Sequence, residues 1–368
     1  MWWTVGLATA LTLACLACGT SAQSLCEFEM PESTIAMASA SFSYRHYDDG
    51  RTPEVDSSTG RFTGRFERLH DAPSLGYTFW VNTQLDVDTW IATSWLTSGS
   101  ISYRYYVSDE LPLFVYAGVR VDAATGQLQP GCELRSGVGI GRFRDVTPLA
   151  KTFRIIEAIS CSGGVRRALS SRAMIRIAEE VARPAEYESF EEYVAGVAEL
   201  IGNSIGSPLD SAGVLIVRSE LEEEAIGRYC GAILQGGVGY ELIDPYAGPQ
   251  DVLYVLSGDV GRALTPDSQL RCRMSWSGAS GGFLEENTSA LELLYDAELP
   301  DSNGVRAGYI VRRDASVASE AVTSQRATVE YTLGWNRASL AIALALSRST
   351  GDPEWTVDLS VSLALDLL

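Results

Sequence analysis

A serine inside a glycine-rich run and a histidine beside an aspartate come nearest to catalytic chemistry in this 368-residue chain. Gly278-Ala279-Ser280-Gly281-Gly282 matches G-x-S-x-G, the turn that lifts a serine nucleophile out of an α/β-hydrolase sheet. That chemistry takes its histidine base from later in the chain, but the only histidines, His46 and His70, both precede Ser280. The run reads as a glycine-rich loop. His70-Asp71 could pair a base with a carboxylate, as in proteases and phospholipases built inside barrels, yet its surroundings read as a short polar turn. Gly137, Gly139 and Gly141 lie at alternate positions opposite Leu134, Val138 and Ile140. A dinucleotide loop needs a βαβ unit and an acidic residue about twenty positions on. Glycines on one face of a strand instead leave room for water or for a packed segment.

Seven cysteines are present, and the five that follow the expected signal peptide fit no paired metal-ligand spacing. These are Cys26, Cys132, Cys161, Cys230 and Cys272; Cys161 with Cys230, which flank one helical segment, is the first pair to test for a disulfide, and buried or unpaired thiols are the alternative. No catalytic residue, no metal ligand and no cofactor is expected. Hydrophobic residues make up 46% of the chain and charged residues only 20%, which excludes disorder. A net charge of -19 argues against a nucleic-acid partner, because phosphate is met by clustered Lys and Arg. Cations are the better counterpart.

The elements that carry these residues are mostly strands. From Trp355 to Leu368 large apolar side chains (Trp355, Val357, Leu359, Val361, Leu363, Leu365, Leu367) take every second place. Thr356, Asp358, Ser360, Ser362, Ala364 and Asp366 fill the gaps, and only a β-strand separates two such sets onto opposite faces. Fourteen residues exceed the five or six of a common soluble strand and suffice for the nine to eleven or so of a tilted membrane strand. This stretch resembles the closing strand of a bacterial outer-membrane β-barrel, departing from it in ending on Leu368 rather than an aromatic. The resemblance implies a porin-like barrel of the bacterial cell outer membrane, with no specific family.

Strands of the same kind fill residues 34–144, for example Leu75, Tyr77, Phe79, Val81 and Leu85 against Thr78, Asn82, Gln84 and Asp86. At Arg144 the period changes to about 3.6. Thr147-Pro148 reads as an N-cap with proline behind it, a second helix starts near Ser170 or Ser171 and stops at Pro184, and Ser189-Phe190-Glu191-Glu192 reads as a capping box. Gly202-Asn203 is expected to stop the third helix, and a fourth runs from about Leu209 to Ile226. Strands resume at Gly227. The expected fold is an all-β transmembrane barrel of about 14 antiparallel strands, with 12 to 16 allowed, carrying a periplasmic α-helical insert. The division is 1–22 signal peptide, 23–145 first part of the barrel, 146–227 insert and 228–368 second part. An even number of strands before the insert places it on the side of the chain ends. Trp90, Trp95, Tyr103, Tyr105 and Trp335 suit an aromatic girdle.

The expected function is a narrow pore or a structural, anchoring barrel in contact with outer-membrane lipid. Its periplasmic helical domain plugs the lumen or docks a periplasmic protein partner. The alternatives are a barrel enzyme acting on lipid or peptide, and a soluble secreted or lipid-anchored β-rich binding protein; no enzymatic activity is expected. Carboxylates of the expected outer loops (Asp48, Asp49, Glu54, Asp56, Asp86, Asp88, Asp244, Asp251, Glu285, Glu286, Asp352, Glu354) could take divalent cations. The expected lumen-lining set is Arg271, Arg273, Glu292, Asp296, Glu298, Arg306, Arg312 and Glu330, with signs alternating from strand to strand. Directly paired side chains lie about 5 Å apart, so such a wall compensates its own charge. Ala341, Ala343, Ala345 and Ser347 are expected to leave free space beside it.

Overall fold

The computed structural model describes residues 25–365 except 31, 48–56, 109–110, 164–168, 224–226, 283–284, 301–302, 317–318, 336–337 and 351. The expected signal segment and residue 368 lie outside this set. Fourteen antiparallel strands close into one barrel, each paired with its sequence neighbours and β14 with β1. Six precede the helices: β1 (Ser33–Tyr47), β2 (Ser57–Asp71), β3 (Leu75–Asp88), β4 (Ile91–Tyr106), β5 (Leu113–Ala124) and β6 (Gly131–Asp145). Eight follow: β7 (Tyr229–Ile243), β8 (Val252–Thr265), β9 (Ser268–Ala279), β10 (Asn287–Leu299), β11 (Asn303–Ser316), β12 (Ser319–Trp335), β13 (Ala338–Ser349) and β14 (Asp352–Leu365). Strands of 12 to 17 residues are long for a soluble sheet and suit a tilted crossing of a bilayer.

Period-two patterning makes the two faces of the wall chemically different. Glu67 of β2 bonds Arg271 of β9, seven places away around the ring, so their register faces inward. Strand alternation and pairing carry that assignment to every neighbour. The outward register holds Leu340, Ile342 and Leu344 on β13 and Val357, Leu359 and Val361 on β14, all exposed. Exposed aromatics form two belts. Trp95, Tyr240, Tyr254 and Trp355 lie toward one end, and Tyr103, Tyr105 and Tyr331 toward the other. From Trp95 to Tyr105 along β4, a rise of about 3.3 Å per residue and a tilt of about 40° give a band about 25 Å tall. An apolar band of this height between aromatic belts is the outer surface of a membrane-spanning barrel. The side chain of Trp335 lies outside the described set.

Four helices sit between β6 and β7: α1 (Thr147–Cys161), α2 (Ser171–Val181), α3 (Phe190–Ile205) and α4 (Ser211–Glu222). Ser170, Ser189 and Asp210 cap α2, α3 and α4, each accepting from a backbone N–H three residues on. Three expected boundaries move. Thr147 is the first helical residue rather than the cap, and its N–H is taken by Asp145 Oδ1 at 2.9 Å. α3 runs past Gly202 to end at Gly206, whose left-handed φ of 87° releases the chain. α4 spans Ser211–Glu222 because Asp210 supplies its cap. Each helix turns one apolar stripe inward, and Ile155, Ile159, Ile177, Val181, Tyr193, Val197, Ile201, Val217 and Leu221 form their shared core.

A second core fixes the helices to the barrel. Leu25 and Phe28 of the N-terminal segment pack with Val146, Leu149, Ala150, Met174, Ala178, Cys230 and Ala263. Cys26 and Cys230 are joined by a disulfide, whereas Cys161 is free and exposed. The candidate pair Cys161–Cys230 is therefore excluded: flanking one helical segment in sequence does not bring two thiols together, and Cys230 is taken by the N-terminal segment.

Candidate functional site

The lumen is filled at the helical end by side chains of its own wall. Two glycines make this possible. Gly141 of β6 and Gly231 of β7 have φ of 115° and 140°, and a Cβ on either would lie 1.9 Å from Ala232 O or 2.1 Å from Arg142 O. Only glycine fits such positions. They bend the two strands that carry the helices, and β6 comes within 8 Å (Cα–Cα) of β1 and β2, far from it around the ring. Phe143 N–H then donates to Asp71 Oδ2 at 3.3 Å and Asp145 N–H to Ser33 Oγ at 2.9 Å. Ile35, Leu69, Tyr106, Phe114, Tyr116, Phe143, Tyr229 and Ile233 close into a buried, mostly apolar cluster across the mouth. The glycine face of β6 takes the rings of this cluster, for a Cβ at Gly139 would lie 2.3 Å from Phe114 and one at Gly137 2.8 Å from Tyr116.

Buried charge surrounds the cluster, and it is paired. Arg271 bonds Asp259 at 3.0 Å and Glu67 at 3.0 Å, and Arg273 bonds Glu67 at 2.6 Å. Asp71 accepts from Arg104 at 3.2 Å and from the Tyr106 hydroxyl at 2.7 Å. Arg228, 1% exposed, donates to Asp296 at 2.7 Å and to the carbonyls of Pro266 and Asp267 at 3.2 and 2.8 Å. An unpaired charge in such a place would cost several kcal/mol, so the pairs hold the floor by what their separation would expose. A cavity of about 10 Å³ remains among Ile35, Met37, Glu67, Leu69, Phe143, Tyr229 and Arg271, room for about one water. Above the floor a cavity of about 320 Å³ is lined by residues including Thr63, Arg65, Asn82, Gln84, Leu96 and Ser98.

All eight expected lumen residues fall on the inward register, but only some meet as neighbours. Arg273 pairs directly with Glu292, their charges 3.9 Å apart, and Arg306 with Glu330 at 4.0 Å. Arg271 stands opposite Leu294 and turns to Asp259 and Glu67 instead. Asp296 and Glu298 are taken by Arg228, and Glu298 also by Arg154 of α1. Arg312 bonds Asp314 on its own strand. Ala341 and Ala345 are nearly buried, so free space does not open where it was expected.

Glu67, Arg104, Arg228 and Asp259 were not singled out from the sequence, and Asp71 only as a neighbour of His70. Each stands on the polar phase of a strand or at its end, and that phase was the available signal. Asp86 is a wall residue bonded to Arg61 at 2.6 Å, not a loop carboxylate. Among the described residues no group of three or more His, Cys, Asp or Glu is placed to hold a metal ion. His70 and Asp71 end β2 on opposite faces; His70 meets Thr34 at 2.9 Å and stacks on Tyr77, while Asp71 is buried in the floor. Strand alternation forbids them a shared proton. Ser280 lies in the β9–β10 connection.

No protein-family model matches the chain, and no curated protein does. Among solved structures, the CymD monoaromatic hydrocarbon channel aligns at 10% identity over 92% of this chain and 89% of its own, with a TM-score of 0.32. The KdgM porin aligns at 7% identity over 90% and 100%, with a TM-score of 0.32. The outer membrane protein OprD from Pseudomonas aeruginosa aligns at 8% identity over 94% and 97%, with a TM-score of 0.34. At these values the likeness carries no functional argument, and the reading below rests on the barrel's own geometry.

Proposed function

We propose that this chain is an outer-membrane barrel of the pore class whose lumen is held shut at its periplasmic end. The observation that carries the reading is the floor: a buried aromatic cluster and cross-lumen ion pairs fill the mouth where the helices attach. Six strands precede the helices, so the helical domain lies on the side of the chain ends, which for an outer-membrane barrel is the periplasm. The Cys26–Cys230 bond and the core around Phe28 support a cap over the floor. Conduction then requires the floor to part. Arg271, Arg273, Glu292, Arg306, Arg312 and Glu330 would line the opened path, and their alternating signs favour weak ion selectivity.

Planar-bilayer recording tests this. The intact chain should stay mostly closed, and Glu67→Gln with Arg271→Leu should raise the time spent open. Equal steady conductance from both proteins would sink the closed-floor reading. A chain soluble without detergent, with no heat-modifiable gel mobility, would sink the barrel itself.

A further inference from the structure

Charge on the lipid-facing surface is of one sign. Among the described strand residues, Asp and Glu outside the irregularity at the start of β12 fall on the inward register, from Glu67 and Asp86 through Glu292, Asp314 and Glu330 to Asp358. The outward register carries Arg68, Arg142, Arg144, Arg262, Arg313 and Arg348, all toward strand ends. In a chain of net charge -19 this separation is not a consequence of composition. Arg144 meets Glu29, and Arg142 lies 4.1 Å over the Tyr106 ring, both at the helical end. At the other end, outward guanidinium groups near an aromatic belt sit at headgroup depth, where lipids offer anionic groups.

At the end opposite the helices two of these arginines stand on either side of β12. Arg313 of β11 pairs with Thr323 of β12, and Arg348 of β13 pairs with Gln325, two residues along the same strand. Arg348 donates to Gln325 Oε1 at 3.2 and 3.3 Å and lies 4.7 Å over the Trp355 ring. The Tyr309 hydroxyl reaches the same Oε1 at 3.2 Å, and Arg313 donates to Asn287 at 3.1 Å. A guanidinium has five N–H donors, and these bonds leave most of them unused among the described residues. Arg348 is held in orientation by a ring and an amide, with no carboxylate paired to it among the described residues.

We infer that Arg313 and Arg348, with Gln325 and Trp355, form a binding site on the outside of the barrel for the phosphate of a membrane lipid headgroup. The flanking outward residues Val311, Ala327, Leu346 and Val357 are apolar and suit acyl chains beneath the headgroup. The occupant is therefore a lipid and not free phosphate. The inference rests on the membrane-barrel reading.

The test uses the full chain, folded in detergent, and follows its heat-modifiable gel transition as phosphorylated lipid A is added. The transition temperature should rise with phosphorylated lipid A and stay unchanged with the dephosphorylated lipid or with inorganic phosphate at equal concentration. Arg313→Gln with Arg348→Gln should weaken the response at least tenfold, while Arg326→Gln on the inward register of β12 should leave it intact. Arg313→Lys with Arg348→Lys retains charge and should keep part of the response, which covers a failure of the glutamine variant to fold. A response that survives in the glutamine variant, or that dephosphorylated lipid or free phosphate reproduces, overturns the site. Absence of any heat-modifiable transition in the unchanged chain overturns the barrel reading instead.

Discussion

Glu67 and Arg271 lie 204 residues apart in the chain and on opposite sides of the ring of strands, yet their charged atoms meet at 3.0 Å. Both side chains are less than a tenth exposed. A contact of this kind exists only where the lumen is closed, so the pair marks the depth of the floor. Asp259 stands beside Arg271 and Arg273 from the neighbouring strand, so three strands share one charge cluster.

Removing the Glu67 carboxylate leaves Arg271 and Arg273 short of one partner in a dry site. Glu67→Gln should cost about 3 kcal/mol of barrel stability, in the range measured for broken buried pairs. Urea titration of the heat-modifiable band reads this. A double-mutant cycle with Arg271→Leu should give a coupling above about 1 kcal/mol. Additive effects would mean that the two residues do not hold each other.

The bend in β6 and β7 needs glycine. Gly141→Ala and Gly231→Ala place a Cβ against backbone at 1.9 and 2.1 Å, so each should cost at least about 1 to 3 kcal/mol or straighten its strand and raise conductance. Gly126→Ala, also at positive φ but with nothing within 4 Å, is the control and should cost less. Equal cost at all three would show that φ alone, not the close approach, decides.

On β14 the face is decided by parity. Leu359 is exposed on the outward register near mid-strand, and Leu359→Arg should lose about 2 to 4 kcal/mol in lipid. Ser360→Arg, one residue on and inward, should fold in normal yield. Folded yield in lipid vesicles compares them.

Cys26→Ser should free the N-terminal segment from β7. Closing a loop of 204 residues by one bond is worth about 2 to 5 kcal/mol, so the segment and the helical domain should become protease-sensitive at lower denaturant while the barrel band persists. Cys161→Ser should change nothing.

The helical domain has its own alkaline limit. The hydrogen bond from Tyr187 to Glu180 holds the phenol of Tyr187 neutral up to about 12, and burial does the same for Tyr193. A phenol raised above its ordinary value near 10 contributes stability that is complete below that value and lost as pH rises toward 12. Helical circular dichroism followed from pH 9 to 12 should fall in this window. Tyr187→Phe should flatten the part of the loss due to that residue.

Local alternation determined the strands, their count and the face on which each side chain stands, because a period of two is written residue by residue and needs no knowledge of the fold. Arg273 and Glu292 were legible as sharing one face for the same reason, and their direct pairing follows from the register in which β9 and β10 bond. Helix positions were legible to within a few residues, and their ends shifted where Asp145 and Gly206 supplied the caps. Tertiary structure alone decided the floor. Whether Arg271 turns to Glu292 on the next strand or to Glu67 across the lumen depends on how the ring closes and how far β6 bends, and ring closure is a property of all fourteen strands together. The partner of Cys230 was decided in the same way, because a thiol meets whichever chain segment packing delivers to it, and packing delivered Cys26.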